Sequence, residues 1–249
     1  MTRKILVTGG AKGVGSAIVT ALVQQGFDVD FTYRSSKNDS DALISQLKNL
    51  YPDTQINAHL LDLSDKLAVD AFSENIENDT YFGLIHNAGQ PYDALAAMMN
   101  QDKAEAIMQV NFWSLARLAK SVMRGMMRAR QGRIVAMGSV AALNGNAGNA
   151  AYAASKGALL SYCRTLAVEV AKRGICVNYI APGFIDTDMM TPYESYRDKM
   201  ESQIPAGRFA KKEEIAGLAA FLMSPPAAYI TGTVLPIDGG LTCMMGVHR

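Results

Sequence analysis

A tyrosine and a lysine stand four residues apart in GNAAYAASKGALL, residues 148–160, among small and apolar neighbours. Positions i and i+4 share a helix face, so Tyr152 and Lys156 point the same way. A free phenol titrates near pH ~10, and an adjacent ammonium favours the phenolate. Such a pair is expected to work as a general acid with its electrostatic partner. Ser139 lies 13 positions upstream of the tyrosine, at the end of the apolar run GRIVAMGS. A strand-end hydroxyl there faces the same crevice as the start of the next helix. It can bond a substrate carbonyl while tyrosine protonates it and lysine holds a cofactor ribose. Tyr-x-x-x-Lys alone is common in helices, so the weight rests on its company.

That company begins at TGGAKGVG, residues 8–15, between the apolar run KILVT and a helix-like segment. Gly9, Gly13 and Gly15 let the backbone turn tightly. The N–H groups of Gly13, Val14 and Gly15 open a helix, where a pyrophosphate is stabilised. The spacing is T-G-x-x-x-G-x-G, not G-x-G-x-x-G, and no Gly-Lys-Ser/Thr follows to make a P-loop. A second strand, FDVDFTY, ends near Tyr33, and Arg34 follows it. With Lys12, Arg34 supplies cations suited to the 2′-phosphate of NADP, whereas a carboxylate there would favour NAD. Asp30 lies in the same strand and would serve NAD if the strand ended earlier. Asp62, in LLDLS with Leu63, either accepts from an adenine amino group or caps the next helix. Asn87, Ala88 and Gly89 follow a fourth strand and are small enough for a ring or sugar to lie against the backbone.

The elements that must position these groups alternate along the chain. Strand-like runs at 4–8, 27–33, 56–63, 81–89, 132–139, 175–183 and 233–240 are separated by helical patterns, including long ones at 103–130 and 150–172. Such alternation predicts βαβ units and a mostly parallel sheet. No internal repeat or linker divides the 249 residues, so a single unit over 1–249 is expected. Its one break in rhythm is a polar, Met- and Tyr-rich insertion at about 184–208, placed to cover a substrate. Net charge is +1, with no basic block for nucleic acid and no acidic tail. No run near the N-terminus is long enough for a membrane span. The three cysteines, Cys163, Cys176 and Cys243, have no metal-ligand spacing and read as reduced thiols of a cytoplasmic protein. No metal site is expected.

Over essentially its whole length the sequence resembles the short-chain dehydrogenase/reductase family. The matching stretches are TGGAKGVG, LDL at 61–63, NAG at 87–89, Asn111 in QVNFWS, Ser139, YAASK and IAPGFIDT. The resemblance implies an α/β, Rossmann-type doubly wound parallel sheet of about seven strands with helices on both faces. It implies a catalytic set of Ser139, Tyr152 and Lys156, with Asn111 supporting a water-linked proton relay to Lys156. It also implies that Pro182, Gly183, Ile185 and Thr187 contact the nicotinamide end of the cofactor. Two positions depart from the family pattern: His86 replaces the usual Asn before NAG, and Asp30 is unusual in its strand.

Segments such as VMRGMMRARQGRIVAMGSVAALNGNAG and AAYITGTVLPIDGG are similar to the 3-oxoacyl-[acyl-carrier-protein] reductase subgroup. That likeness implies NADPH as cofactor and an acidic acyl carrier protein as partner. Arg130 and Arg173 are then expected to dock the carrier from the rim of the site. It further implies a homotetramer through the long helices after strands four and five. Leu115, Leu118 and Val122 make an apolar stripe on one of these, which fits either an interface or a core. The reading is NADPH-dependent reduction in fatty-acid or related polyketide biosynthesis. The alternatives are a reductase of a specialised polyketide, sugar or small alcohol, and a silent cofactor-sensing module, which should lack one of the Tyr-Lys pair.

Overall fold

The computed structural model describes residues 3–244; the first two and last five positions of the expected unit lie outside it. Seven strands form one parallel sheet: β1 (Lys4–Thr8), β2 (Asp28–Tyr33), β3 (Ile56–Leu60), β4 (Tyr81–His86), β5 (Gly132–Met137), β6 (Ile175–Pro182) and β7 (Val234–Ile237). Their order is β3-β2-β1-β4-β5-β6-β7. Order reverses between β1 and β4, and in such sheets ligands bind outside the strands' carboxyl ends at that point. Strand β1 shows why its sequence is a continuous apolar run. Ile5 and Val7 enter the core on one face of the sheet, and Leu6 enters the core on the other.

Helices α1 (Gly13–Gln24), α2 (Lys37–Leu50) and α8 (Lys212–Met223) cover the first face, through Ile18, Leu22, Leu47 and Ile215. The second face is covered by α3 (Lys66–Asn75), α5 (Ser114–Ala129) and α6 (Ala150–Val170), through Val69, Leu118, Val122 and Leu159. Leu115, Leu118 and Val122 are wholly buried, so the apolar stripe faces the core and not a partner.

Two expectations about helices are corrected. The long helix expected over 103–130 is α4 (Gln101–Met108) and α5, separated by a π-turn at Gln109–Trp113. The wider turn carries Asn111 inward to buried polar partners that a regular helix would not present. Asp62 does not cap α3. Asp65 does, accepting the N–H groups of Leu67 and Ala68.

The 184–208 segment forms a 3-10 stretch, Asp188–Tyr196, and the short helix α7 (Arg197–Glu201). Arg197 ties it down, pairing with Asp186 and Glu201 at 3.0 Å each. The same guanidinium lies 4.8 Å from the Phe209 ring centre, and Phe209 stacks on Phe184. From this segment, the Tyr193 hydroxyl donates to Asp93, in the loop after β4. No helix among the described residues is long and apolar enough to cross a membrane.

Candidate active site

The glycine turn leaves β1 at Thr8 and enters α1. A Cβ on Gly15 would lie 1.9 Å from the Gly9 carbonyl oxygen, so only glycine lets this helix sit so close to the strand. Gly9 and Gly13 have φ of 66° and 55°, the left-handed region that glycine adopts without strain. Helix α1 has no side-chain cap and no acidic residue in its first turn. Its first N–H groups and its dipole are therefore available to an anion. Lys12, Gly13, Ser16 and Thr187 line a cavity of about 600 Å³ here. The Thr187 methyl would be 3.8 Å from a Cβ on Gly13, so this threonine closes the turn from the opposite side.

The other expected cofactor contacts border the same edge. Asn87 Nδ2 bonds the carbonyls of Thr8 and Gly9, joining the β4 end to the glycine turn. Ala88 packs against Gly9, and Gly183 packs against Asp238. Pro182 ends β6, and Ile185 forms a bridge with Ala210. Arg34 is exposed just past β2 and has no ion-pair partner among the described residues. Lys12 pairs with Asp39 at 3.1 Å. Asp62 is held by Ser64, whose hydroxyl and N–H lower its pKa; the Arg34 charge adds to the lowering. Leu63 is buried, and its carbonyl accepts from Gln109. A pyridine dinucleotide fits this edge: glycine cradle, uncapped helix end and an unpaired cation past β2.

Asp30 takes no part in it. It pairs in register with Leu6 and Asn57, three residues before the end of β2. Tyr81 and Asn57 donate to its carboxylate, and Lys4 lies 3.2 Å away. Burial pushes its pKa up, but the nearby His59 ring at 3.7 Å, the hydrogen bonds from Tyr81 and Asn57 and the Lys4 charge hold it well below the usual carboxylate range. A carboxylate engaged in this way, inside the strand, does not reach a ribose at the carboxyl edge.

Ser139, Tyr152 and Lys156 do converge. Ser139 follows β5, with its hydroxyl accepting the Ala141 N–H at 3.1 Å. Below it, the Tyr179 hydroxyl accepts the Ser139 N–H at 3.0 Å and donates to the Lys156 carbonyl at 3.2 Å. A Cβ on Gly138 would sit 1.8 Å from the Tyr179 ring, so Gly138 makes room for this support. Lys156 Nζ donates to the Met137 carbonyl at 2.9 Å and lies 5.8 Å from the Tyr152 ring centre. Burial lowers the Lys156 pKa to about 8.

The Tyr152 pKa moves opposite to the expectation. Burial raises it, the Ser139 side chain lowers it in part, and Asp93 raises it further. Lys156 aims its ammonium at a carbonyl, so desolvation of the phenolate dominates. The phenol thus holds its proton at neutral pH, the form that a proton donor needs.

Asn111 closes the set on the π-turn. Its Oδ1 accepts the Gln90 N–H at 2.8 Å, and its Nδ2 donates to the Gln90 carbonyl at 3.0 Å and to Ser155 Oγ at 2.9 Å. Ser155 is the chain neighbour of Lys156. Thr8, Gln90, Asp93, Ser155 and Tyr179 therefore belong to the site, although their sequence spacing carries no signal. Asp93 has its carboxyl pKa raised by burial and faces Tyr152.

Arg130 and Arg173 are not on the rim. They precede β5 and β6, at the amino edge of the sheet. Six residues of β5, about 20 Å of strand, separate Arg130 from Ser139. Arg130 instead caps α5 in a left-handed conformation and donates to the Lys172 carbonyl at 3.0 Å.

Comparison with known proteins agrees with this geometry. Residues 9–242 match the family profile described as Enoyl-(Acyl carrier protein) reductase. The 3-oxoacyl-[acyl-carrier-protein] reductase FabG of Salmonella typhimurium LT2 is 42% identical, over 95% of this chain and 96% of that protein. A short-chain dehydrogenase/reductase structure from Serratia marcescens superposes with a TM-score of 0.88 at 31% identity, covering 96% of this chain and 98% of that one. A blue fluorescent protein from a metagenomic library, solved in complex with NADPH, gives a TM-score of 0.87 at 33% identity over 96% and 97% of the two chains. With its sheet order, glycine turn and Ser139-Tyr152-Lys156 cluster, the chain belongs to the short-chain dehydrogenase/reductase family of oxidoreductases.

Proposed function

We propose that the protein is an NADPH-dependent reductase that converts a 3-oxoacyl group on acyl carrier protein to the 3-hydroxyacyl form. The observation that carries the chemistry is the convergence of Ser139, Tyr152 and Lys156 beside the glycine turn at the sheet's carboxyl edge. The substrate class follows from the 42% identical FabG relative, and the cofactor from the NADPH complex of the structural neighbour together with unpaired Arg34. The cofactor, when bound, supplies the hydride.

The chain's own residues do the rest. Ser139 Oγ donates to the ketone oxygen and orients it. Tyr152 gives up its phenolic proton to that oxygen, so one hydride and one proton convert C=O to CH–OH. Lys156 stabilises the phenolate left behind and bonds the ribose. Asn111 holds the loop at Gln90 and, through Ser155, the start of α6. The 184–208 segment serves as the substrate lid of one catalytic unit. Homotetramer formation would cover exposed Trp113 and Val168 on the α4–α6 side. Arg130 and Arg173 would then present carrier protein to a neighbouring subunit's site and not to their own.

The test is NADPH oxidation with 3-oxoacyl groups on acyl carrier protein, beside free small ketones and, in reverse, sugars and small alcohols. Turnover on the carrier-bound chain and little on the free compounds is expected. Preference for a free alcohol or sugar would overturn the substrate. In the same assay, Arg34→Asp is expected to weaken NADPH about 10–100-fold while leaving NADH nearly unchanged. Equal losses would remove Arg34 from the cofactor site.

A further inference from the structure

His86 ends β4, is wholly buried, and is placed by its hydrogen bonds where two halves of the site meet. Its Nε2 lies 3.2 Å from the Asn111 carbonyl oxygen, and its Nδ1 lies 3.1 Å from Thr8 Oγ1. A carbonyl only accepts, so Nε2 carries the proton. Nδ1 is then the acceptor, and the Thr8 hydroxyl donates to it. That hydroxyl's oxygen already accepts the N–H groups of Asn87 and Ala88, at 3.1 Å each. The result is one directed chain, from the 87–88 turn through Thr8 and His86 to the backbone of the π-turn. Both ring nitrogens are used, and neither role can be reversed without leaving a buried polar atom unpaired.

We propose that His86 is a positioning residue, whose Nε2–H tautomer locks the cofactor-facing turn at 87–89 to the π-turn bearing Asn111. The two pieces meet at Gly89, where a Cβ would lie 3.0 Å from Lys156 Nζ and 3.4 Å from Asn111 Oδ1. Turn 87–89 is where a ring or sugar of the cofactor would lie, and Asn111 reaches Ser155 and so the helix of the proton donor. His86 therefore sets the position of the cofactor-facing turn relative to the helix of the proton donor. The ring stays neutral, because burial first and the Lys156 charge second lower its pKa to about 3. Protonation would also place a hydrogen on Nδ1, against the Thr8 donor.

This inference rests on the reductase reading, so its test includes a measurement that needs no turnover. In ¹⁵N-histidine-labelled wild-type protein, with the signal assigned by its loss in His86→Phe, His86 is expected as the Nε2–H tautomer, unprotonated to about pH 5. The Nδ1–H tautomer, or titration between about pH 5 and 8, would overturn the assignment without any measure of turnover, and loss of the same signal in His86→Gln gives its identity if His86→Phe does not fold. His86→Phe is expected to lower kcat about 10–100-fold, with NADPH Kd changed less than about threefold. His86→Gln, which keeps a donor and an acceptor, is expected to recover part of kcat. Unchanged kcat in folded His86→Phe would refute the proposal. So would parallel loss of kcat, NADPH affinity and Tm in both variants, which would make His86 a packing residue only. Wild-type protein that fails to reduce 3-oxoacyl substrates would instead count against the reductase reading, with the tautomer result standing.

Discussion

Asp30 on β2 and Lys156 on α6 are each 3% exposed, yet the fold treats their charges in opposite ways. Asp30 is surrounded by donors from Tyr81 and Asn57 and by the Lys4 ammonium, and its carboxylate is stabilised well beyond that of a free group. Lys156 has one neutral carbonyl at 2.9 Å, and its ammonium is destabilised. Burying a charge is tolerable when partners replace water, and unfavourable when they do not. From β2, Asp30 ties β1, β3 and β4 to its own strand through Lys4, Asn57 and Tyr81. Lys156 leaves hydrogen-bonding capacity unspent beside Tyr152. The difference separates a charge that the fold satisfies from one that it leaves free for the chemistry proposed for it.

Three measurements test this contrast. The largest is catalytic. Lys156→Met and Tyr152→Phe should each lower turnover about 10²–10⁴-fold, with Tyr152→Phe keeping NADPH binding nearly intact. A fully active Tyr152→Phe enzyme would end the proton-donor role. Asp30→Asn should leave turnover per folded molecule unchanged and lower stability by about 2–4 kcal/mol, measured by urea unfolding at pH 7.

The pH dependence follows from sign. A carboxyl lowered in the fold contributes stability above its unfolded pKa of 3.8 and loses it as pH falls toward the folded value. The Asp30→Asn deficit should therefore hold from pH 7 to about 5 and shrink below about 4. A deficit that persists in acid would show that Asp30 acts through shape alone.

The smallest effect has the reverse sign. The Lys156 pKa is lowered from 10.5 to about 8, so the folded protein binds fewer protons than the unfolded chain between those values. Wild-type stability from this group rises as pH climbs from about 8 to about 10.5, and the disadvantage is complete below about 8. Lys156→Met should thus be more stable than wild type at pH 7 by about 1–2 kcal/mol, after allowing for the lost bond to Met137. The gain should disappear above about pH 10.5. A variant less stable at pH 7 would mean that Lys156 is better compensated than its one partner indicates.

Much of the architecture was legible in the residue pattern. KILVT, FDVDFTY and YFGLIH read as buried parallel strands because both of their faces meet a core, and helices α1, α6 and α8 showed their apolar periodicity. The π-turn was not legible, because an extra residue in a helical turn leaves no mark on a continuous helical pattern. Asp62 and Asp65 are equally plausible caps by type, and only backbone direction selects Asp65.

For the site, residue types in order along the chain pointed to a glycine turn suited to phosphate, a Ser-Tyr-Lys set and a cation after the second strand. Local spacing suffices there, because each feature is confined to one turn or one helix face. Tertiary structure decided what depends on approach between distant segments. It placed Asp30 inside a charge network, moved Arg130 and Arg173 to the far edge of the sheet, and turned Leu115, Leu118 and Val122 toward the core. It raised the Tyr152 pKa where sequence proximity to Lys156 suggested the reverse, since desolvation depends on everything packed around a group and sequence spacing does not measure it.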